Sequence, residues 1–562
     1  MIRKPYTSLV IAGVLVLAGL FLSAGQIAWV FRGGDPGAAQ DLATGVLLFK
    51  IGLVVCGTYM FLLRLLPAYV PVPMGAHAPP GGERHETLLL VALLICAAGL
   101  RLYSLGTGIW YDEMLTYVNY MPLSVGQIVS TYHDANNHIL FSVFARLSLS
   151  GFGDTVWAFR LPAVVFGVGS IAALYYLARK FSTVQESLFS VALLTFSYHH
   201  IWFSQNARGY TALLFFTLLS STLLMNALRR NNPQTWVLYS LAAVLGAVTH
   251  LTMGLVVFSH FIIYAAWAFF KKTDRHPQPW IGFFYGFIPV GLLTYQTHAL
   301  ILPSMLGGGL LESGLQGEDG IEWTNPVWAI MEVVNALQIG FASGGIALVA
   351  VTVFGIGMID FLRRTPEIVG FLMIPTVVGL LLMTSIGYTL FPRFFFFAMG
   401  FGVIIVIHGG AVTGRIIGRL LRLSETGSGW IATALCAGIV IASLPPLRHV
   451  YFPKQDFASA IDLIEAQKQA DDTVITLGIA DFPFNKYYRK DWENVETLAE
   501  FEQLRATTKR TWLVYTLPVQ AQSAYPDILQ RLDEDYIIVD TFYGTLNGGE
   551  VVVCLEKTPE TS

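Results

Sequence analysis

The chain has 562 residues, a formal net charge of −3, and 13% charged against 54% hydrophobic residues. Its mean hydropathy is +0.59, and apolar runs of about 18 residues or more recur along it. This is typical of a polytopic membrane protein and excludes a soluble globular one. The small net charge provides no basic surface for nucleic acid, and the four scattered cysteines form no metal or disulfide pattern.

The first predicted element is a membrane span. Arg3 and Lys4 precede an apolar run of about 25 residues that no clear small-residue cleavage site follows, so we expect a retained span and not a signal peptide. Thirteen spans are predicted, near 7–31, 42–66, 86–103, 157–178, 184–203, 207–228, 234–249, 251–270, 280–298, 344–362, 366–388, 394–413 and 430–446. With the N-terminus inside, Lys and Arg collect in the inner loops, as the positive-inside rule requires.

The third and fourth spans enclose a long outer loop, 104–156, which opens on the acidic pair Asp112 and Glu113. One of these carboxylates could act as a general base that takes the proton of a sugar-accepting hydroxyl. Partial desolvation beside the bilayer would raise its basicity. The alternative is an acid pair that caps or solvates a helix end. Neighbouring helical residues point about 100° apart, so we expect only one of them to face a substrate.

The middle of this loop is rich in polar residues that could form a site: His133, Asp134, Asn137 and His138. They could bind a divalent metal or line a polar sugar pocket. Their spacing matches no standard metal signature, and a turn with Asx-type capping is the alternative.

Residues 138–152 are hydrophobic but too short to cross about 30 Å of hydrocarbon. A polar stripe follows one helical face, made of His138, Ser142, Arg146 and Ser150. A span here would also place Arg179 and Lys180 outside. We therefore predict an amphipathic helix that lies in the outer interface.

Two arginines, Arg208 and Arg393, lie at outer ends of predicted spans, against the charge rule. Arginine binds phosphate with two parallel hydrogen bonds, so both are candidates for a lipid-linked phosphate. The alternative for each is a headgroup anchor. A second outer loop, 299–343, contains acidic residues but no Lys or Arg.

After residue 446 the pattern changes to alternating helix-like and strand-like segments, which predicts a small α/β domain over 447–562, outside the membrane. It has no nucleotide-binding glycine fingerprint. Its expected role is a lid, a dock for an acceptor, or stabilisation. The predicted organisation is thus two N-terminal helices in 1–70, a membrane domain in 71–446 with the two outer loops, and this domain.

The motifs in combination resemble the GT-C membrane glycosyltransferases. The resemblance is to the family 39-like branch, with its protein O-mannosyltransferase relatives, the aminoarabinose transferase of lipid A and the lipopolysaccharide galacturonosyltransferases. It covers roughly residues 86–230. It rests on Tyr111-Asp112-Glu113, Asn136-Asn137-His138-Ile139-Leu140, Phe152-Gly153-Asp154 with Ala158-Phe159-Arg160-Leu161-Pro162, and Ser204-Gln205-Asn206-Ala207-Arg208-Gly209-Tyr210.

The resemblance implies a polyprenyl-phosphate-linked sugar donor, inversion at the anomeric carbon, and a lipid, glycan or protein acceptor. Asp112 would be the base and Glu113 would position it, while Arg208 and Arg393 would steady the departing phosphate. The remaining substrate pocket would contain Tyr111, His133, Asp134, Asn137, His138, Gln205 and Tyr210. The implied location is the bacterial inner membrane, with the catalytic loops and C-terminal domain extracytoplasmic.

Two departures from the family pattern stand out. Asn206 occupies a position where family members often carry an acid, so a second carboxylate or metal ligand is missing there, and metal dependence stays open. Two additional spans precede the segment that resembles the first family helix.

A transporter or flippase of a lipid-linked saccharide is the alternative function, and a lipid-binding structural subunit is another. Transporters place ionisable residues near the bilayer midplane, where only Lys50 is clearly predicted here. The enzyme hypothesis instead requires Asp112, Arg208 and Arg393 to meet in one cavity.

Overall fold

The computed structural model describes residues 6–35, 37–67, 69, 84–270, 278–309, 325–341 and 344–557. Most of these are helical, and a five-stranded sheet lies near the C-terminus. The predicted fold class, a helical membrane protein with a small C-terminal α/β region, is confirmed. Glu312, Glu318, Asp319 and Glu322 of the predicted outer loop 299–343 lie outside the described residues, as do Arg3 and Lys4.

The N-terminal unit consists of α1 (Thr7–Phe21), α2 (Ala24–Arg32), α3 (Ala38–Asp41) and α4 (Ala43–Leu62). The chain bends by 106° between α1 and α2. The bend arises because Ser23 begins a new helix through a capping box: its Oγ accepts the Gln26 N–H at 3.2 Å, and the Gln26 side chain accepts the Ser23 N–H at 2.8 Å. The predicted span 7–31 is therefore a bent pair and not one straight helix.

Eight helical stretches in the described residues are long and apolar enough to cross a membrane, or nine if the bent pair counts as one span. The thirteen crossings and their orientation stay a prediction.

The helices between residues 84 and 442 are α5 (Arg84–Leu102), α6 (Tyr111–Tyr120), α7 (Val125–Ser130), α8 (Ile139–Phe152), α9 (Val156–Ala178), α10 (Val184–Thr195), α11 (Tyr198–Ser204), α12 (Tyr210–Arg230), α13 (Pro233–Thr249), α14 (Met253–Phe270), α15 (Trp280–Gly282), α16 (Ile288–His298), α17 (Leu302–Ser304), α18 (Pro326–Phe341), α19 (Gly344–Arg364), α20 (Pro366–Ser385), α21 (Met399–Leu420) and α22 (Glu425–Ala442).

The predicted span 184–203 is broken into α10 and α11. At 12 residues, α10 is about 18 Å long, well short of the hydrocarbon thickness. Arg101 of α5 is fully buried at the break and donates to the Leu194 and Thr195 carbonyls, both at 3.2 Å. Its Nη2 also lies 2.6 Å from His200 Nδ1 of α11. The arginine thus satisfies the last carbonyls of α10, which a continuing helix would otherwise bond.

Helix α8 matches the predicted amphipathic helix 138–152. Most of its polar stripe faces the protein: Ser142 Oγ donates to Asn137 Oδ1 at 2.9 Å, and Arg146 Nε donates to the Leu123 carbonyl at 3.1 Å. Ser150, at the end of the stripe, is exposed. Its outward face is apolar, with Leu147 53% exposed. An apolar outer face suits a helix that is surrounded by lipid on that side.

The C-terminal sheet has the strand order β2-β1-β3-β5-β4. Strand β1 runs parallel to β2 and β3, whereas β5 is antiparallel to β3 and β4, with Trp512 opposite Val474 on one side and Leu555 on the other. The elements are α23 (Phe457–Gln467), β1 (Asp472–Leu477), β2 (Glu493–Val495), α24 (Leu498–Thr507), β3 (Arg510–Thr516), α25 (Pro518–Ala524), α26 (Pro526–Asp535), β4 (Tyr536–Phe542) and β5 (Val551–Glu556).

One hydrophobic cluster joins the C-terminal sheet to the 104–156 segment. It contains Met114 of α6, Phe141 of α8 and Phe159 of α9 together with Phe457 and Trp512. The C-terminal region therefore packs against α6 and α8, on the same side of the helical bundle as the acidic pair.

The N-terminal unit packs against two other segments through small residues. A Cβ on Gly126 of α7 would lie 2.2 Å from the Phe31 carbonyl oxygen, and one on Gly45 of α4 would lie 2.3 Å from that of Leu300. Arg32 of α2 donates to the Ser130 carbonyl at 3.0 Å. Helices α2 and α4 thus hold the segments that precede Tyr132 and follow His298 in place.

Candidate active site

A cavity of about 1060 Å³ opens between α6, the bundle and the C-terminal sheet. It brings together Asp112, Arg208 and Arg393, three charges from segments far apart in sequence. A cavity of this size can hold a ligand larger than a single sugar. Part of its wall is aliphatic, including Val248, Leu251, Leu255, Leu382 and Ile386 from the region of α13, α14 and α20.

Asp112 lies in the first turn of α6 and lines the cavity. Its Oδ2 accepts a hydrogen bond from Arg393 Nη1 at 3.0 Å, and both side chains are mostly buried, at 13% and 25% exposed. Oδ1 has no hydrogen-bond partner within the described part of the chain. In Asp112, Oδ2 is therefore paired with a cation, whereas Oδ1 is available to accept a proton.

Glu113, the neighbouring acid, points away from the cavity into a fully buried ion pair. Arg160 of α9 donates Nε to Oε1 at 2.8 Å and Nη2 to Oε2 at 2.6 Å. The Ala207 and Trp110 N–H groups also donate to this carboxylate, at 2.5 and 3.4 Å. Burial alone would raise the pKa of Glu113, but the Arg160 guanidinium holds it below its usual range. A carboxylate with four donors has no capacity left for a substrate proton.

Arg208 is buried just before α12 and lines the cavity. Its Nη1 donates to Thr116 Oγ1 at 3.1 Å and to the Asn136 carbonyl at 3.2 Å, and lies 3.5 Å from the Asp112 carbonyl. Its Nε has no partner among the described residues. Arg208 and Arg393 thus contact the same residue, Asp112, from two sides.

His138 places a second donor beside Arg208. Its Nδ1 accepts the Gly209 N–H at 2.7 Å, so this nitrogen carries no proton. Burial, and then the charge of Arg208, lowers the pKa of His138 well below its usual range, and the neutral ring therefore carries its proton on Nε2. Nε2 lies 3.3 Å from Arg208 Nη2. Two donors side by side without an acceptor form a site that attracts an anion.

Arg393 precedes α21 in a short 3₁₀ segment, Pro392–Ala398. Its guanidinium carbon lies 4.5 Å from the centre of the Phe391 ring, in a cation–π contact, besides its ion pair with Asp112. Its Nε also has no partner in the described ranges. The cation is therefore fixed in direction and retains hydrogen-bonding capacity.

The polar segment before α8 forms a turn. Asp134 Oδ1 accepts the Asn136 N–H at 2.7 Å, as in an Asx turn. Asn137 lines the cavity, but its amide is occupied by the Ile128 and Thr131 carbonyls, at 3.1 and 2.9 Å. His133 and Asp134 lie outside the cavity lining. In the ranges that the structure describes, no three His, Cys, Asp or Glu side chains gather as a metal site would require.

Among the other predicted pocket residues, Tyr111 and Tyr210 line the cavity. The Tyr210 ring lies 5.2 Å from that of His138 in an edge-to-face contact, which helps to orient the imidazole. Gln205 lies outside the lining, and its Nε2 donates to the Tyr103 carbonyl at 2.6 Å. Its role is thus to hold the chain between α5 and α6.

Three residues at or near the site were not predicted from the sequence. Arg160 is part of the motif Ala158-Phe159-Arg160-Leu161-Pro162, but nothing in the sequence indicates that it pairs with Glu113. His250 lies between two predicted spans and has no sequence motif around it; it caps α13, lines the cavity, and has its ring 4.8 Å from that of His138. Lys454 is buried at the joint with the C-terminal sheet, where its Nζ donates to the Gln205 carbonyl at 2.7 Å. For His250, the available signal was a polar residue between two apolar runs.

Residues 137–295 match the family described as dolichyl-phosphate-mannose-protein mannosyltransferase. The matched range contains His138, Arg160 and Arg208, while Asp112 and Arg393 lie outside it. None of the curated proteins compared matches the chain.

Solved structures with a similar fold include ArnT from Cupriavidus metallidurans in the apo state, with 13% identity, a TM-score of 0.50, and coverage of 84% of this chain and 98% of that one. The oligosaccharyltransferase of Archaeoglobus fulgidus in the apo form has 10% identity, a TM-score of 0.47, and coverage of 82% and 74%. The arabinosyltransferase EmbB of Mycobacterium smegmatis has 11% identity, a TM-score of 0.43, and coverage of 72% and 45%. The similarity to the first of these structures confirms the GT-C fold that the motifs predict.

Proposed function

We propose that the chain is a membrane glycosyltransferase that moves a sugar from a polyprenyl-phosphate donor to a hydroxyl group of an acceptor, with inversion. The observation that carries the proposal is the pair of adjacent donors, Arg208 Nη2 and the Nε2–H of His138, 3.3 Å apart in the same cavity as Asp112. These donors suit a phosphate, and the carboxylate suits a base. The matched family, whose description names a dolichyl-phosphate-linked sugar, supports a donor of this kind.

The aliphatic part of the cavity wall supports a lipid-linked donor. The arginines share the cavity with three leucines: Leu251, just before α14, Leu255 of α14, and Leu382 of α20. A prenyl chain against this wall would keep its hydrocarbon out of water while its phosphate meets Arg208. A soluble sugar nucleotide has no hydrocarbon chain that could pack against such a wall.

The proposed reaction needs one proton acceptor and compensation of one developing negative charge. Asp112 Oδ1 takes the proton of the acceptor hydroxyl as its oxygen bonds to the anomeric carbon. The bond from that carbon to the phosphate oxygen breaks, and the electron pair leaves on the phosphate. Arg208 and Arg393 compensate the charge that gathers there, which is the electrostatic contribution such a leaving group needs.

Glu113 has a positioning role in this proposal. Its carboxylate ties α6 to Arg160 of α9 and to the Ala207 N–H, next to Arg208. The same pair thus fixes the helix that carries the base and the loop that carries the phosphate ligand. The proposal also places the cavity on the extracytoplasmic side of a bacterial plasma membrane.

The test is donor turnover by the purified protein in lipid nanodiscs. Tritiated undecaprenyl-phosphate hexoses and pentoses are supplied with solubilised cell envelopes, and the release of undecaprenyl phosphate is measured. We expect release with at least one donor, and a 10-fold or greater loss of donor affinity in Arg208→Gln, since charge-assisted contacts contribute about 1.5–3 kcal/mol. Asp527→Asn, a change at an exposed acid of α26, is the matched control.

Two outcomes would contradict the proposal. One is the absence of release and of binding with every donor. The other is movement of an intact lipid-linked sugar across proteoliposomes without cleavage, which would support the flippase alternative.

A further inference from the structure

The C-terminal sheet presents a recognised type of ligand-binding crevice to the cavity. Strand β1 pairs in parallel with β2 on one side and with β3 on the other, so the order of the strands reverses between β1 and β3. Ligands of open α/β sheets bind outside the carboxyl ends of strands at such a reversal. Ile479, just after β1, and Leu517 and Gln520, just after β3, all line the cavity. The crevice therefore opens into the same space as Asp112.

The backbone at this crevice has an unusual conformation. Leu517 follows β3 directly with a φ of +53°, and Gly478 follows β1 directly with a φ of +54°. The left-handed region is rare for a bulky residue such as leucine, and such residues cluster at ligand sites. A Cβ at position 478 would lie 2.4 Å from the Tyr525 hydroxyl, so glycine is needed there. Both chain turns are thus held in place where the cavity begins.

The crevice wall differs from the opposite wall in charge. The lining residues from this side carry three amides, Gln455, Gln520 and Asn547, and are otherwise aliphatic or glycine; none of those described is charged. Gln455 is held by protein groups: its Oε1 accepts the Tyr111 N–H at 3.0 Å, and its Nε2 donates to Thr516 Oγ1 and the Gly549 carbonyl. The side chains of Gln520 and Asn547 make no hydrogen bond within the described ranges, so both amides are available to a ligand.

Aromatic side chains border these amides. Trp202 lines the cavity, and its Nε1 donates to Thr545 Oγ1 at 2.8 Å, two residues before Asn547. Tyr111 lies next to Asp112 and is joined to Gln455. Aromatic faces with free amides nearby suit the apolar faces and hydroxyl groups of a sugar ring. Lys454 lies 5.0 Å from the centre of the Trp202 ring but outside the lining, so a phosphate-bearing headgroup would meet no cation among the described lining residues of this side.

We propose that this crevice is the acceptor site, and that the part of the acceptor which enters it is an uncharged saccharide. The inference rests on the proposed function and specifies its acceptor. It also favours a saccharide over a peptide. The lining comes from loops at strand ends, and the sheet edges β2 and β4 supply no residue to it. An extended peptide would therefore find no strand edge to pair with.

The test separates acceptor binding from donor binding. Wild type, Gln520→Ala and Asn547→Ala are assayed with a tritiated undecaprenyl-phosphate sugar while the amount of solubilised envelope acceptor and the amount of donor are varied in turn. We expect each variant to raise the half-saturating acceptor amount about 3- to 10-fold, the value of one lost hydrogen bond, with donor saturation unchanged. Gln503→Ala, an exposed glutamine of α24 outside the cavity, is the matched control.

The labelled product of the wild-type reaction identifies the acceptor class. We expect the label in a protease-resistant glycan, bonded to a sugar without a phosphate. Label that protease releases, or label on a phosphorylated sugar, would overturn the saccharide assignment. Unchanged acceptor saturation in both variants would overturn the site while leaving the proposed function intact, whereas a failure of wild type to cleave any donor would contradict the proposed function itself.

Discussion

The adjacent acids Asp112 and Glu113 should respond to the same chemical change in opposite ways. Replacing each by its amide removes one negative charge and keeps the shape of the side chain. Asp112 faces the cavity with one ion pair, whereas Glu113 is fully buried with four donors around it. We therefore expect Asp112→Asn to lose turnover with little loss of stability, and Glu113→Gln to lose stability.

The cost of Glu113→Gln follows from its partner. Arg160 would stay fully buried without a compensating negative charge, with the neutral glutamine oxygen and the Leu105, Thr107 and Gly108 carbonyls, at 2.9–3.0 Å, as its acceptors. Removing one member of a buried pair costs about 3–5 kcal/mol, because it leaves an uncompensated charge in the interior. The amide nitrogen would also face N–H donors. A fall in melting temperature by several degrees or more is expected.

The cost of Asp112→Asn is kinetic. Arg393 stays 25% exposed at the cavity, and the asparagine oxygen can still accept its hydrogen bond, so the loss of stability should be smaller than for the fully buried Glu113–Arg160 pair. A general base contributes about 10²–10⁴ in rate, or roughly 3–5 kcal/mol of barrier. We expect turnover of the labelled donor to fall by that factor while donor binding and melting temperature stay near wild type.

The assay is donor cleavage and thermal unfolding of both variants in the same nanodisc preparation, with Asp527→Asn as control. Near-normal turnover in well-folded Asp112→Asn protein would remove Asp112 from the mechanism. Equal melting temperatures for Glu113→Gln and wild type would refute the structural role of the Glu113–Arg160 pair.

Three further predictions concern topology, the N-terminal unit and pH. Cysteines placed at Thr155 and Ser523 in a cysteine-free background should react with an impermeant maleimide from the same, outer side; protection of one of them alone would contradict the docking of the C-terminal region. Gly126→Ala, whose Cβ would meet a backbone oxygen at 2.2 Å, should lower donor affinity and melting temperature, while Gly25→Ala, with open space around it, should not. Burial, and then repulsion by a nearby arginine, lowers the pKa of Lys454 to about 7. Between pH 7 and about 10 the unfolded chain binds more protons, so the melting temperature should rise with pH across that window and do so less in Lys454→Met.

The membrane fold could be predicted because long apolar runs and the distribution of Lys and Arg are properties of the sequence alone. Helix α8 and the C-terminal α/β region were found from length and periodicity in the same way. The break between α10 and α11 was missed because its cause is tertiary: Arg101 comes from α5 to satisfy the end of α10, almost a hundred residues away. The bend between α1 and α2 has a local cause, the Ser23–Gln26 capping box, which a search for long apolar runs does not detect. Strand β2, at 3 residues, is too short to have a period.

The cavity residues could be predicted in part. Asp112, Arg208 and Arg393 stood out because a charge among apolar residues is costly and needs a reason. The role of each charge could not be derived, since it depends on the partners that the fold supplies. Glu113 and Asp112 are indistinguishable in sequence, and only the position of Arg160 separates them. The tautomer of His138 cannot be predicted from the sequence, because it is set by the Gly209 N–H that donates to Nδ1.

The number of hydrogen-bonding positions left open offers a general way to separate structural from reactive charges in such a site. Glu113 has its four acceptor positions filled by protein donors, and Asn137 donates both amide hydrogens to carbonyls, so both side chains hold segments together. Asp112 keeps one oxygen open, and Arg208 lies donor to donor with His138. A protein that needed these groups for stability alone would lower its free energy by pairing them with each other. The open positions converge on one cavity, which is the arrangement expected when the missing partners are a phosphate and a hydroxyl group brought by substrates.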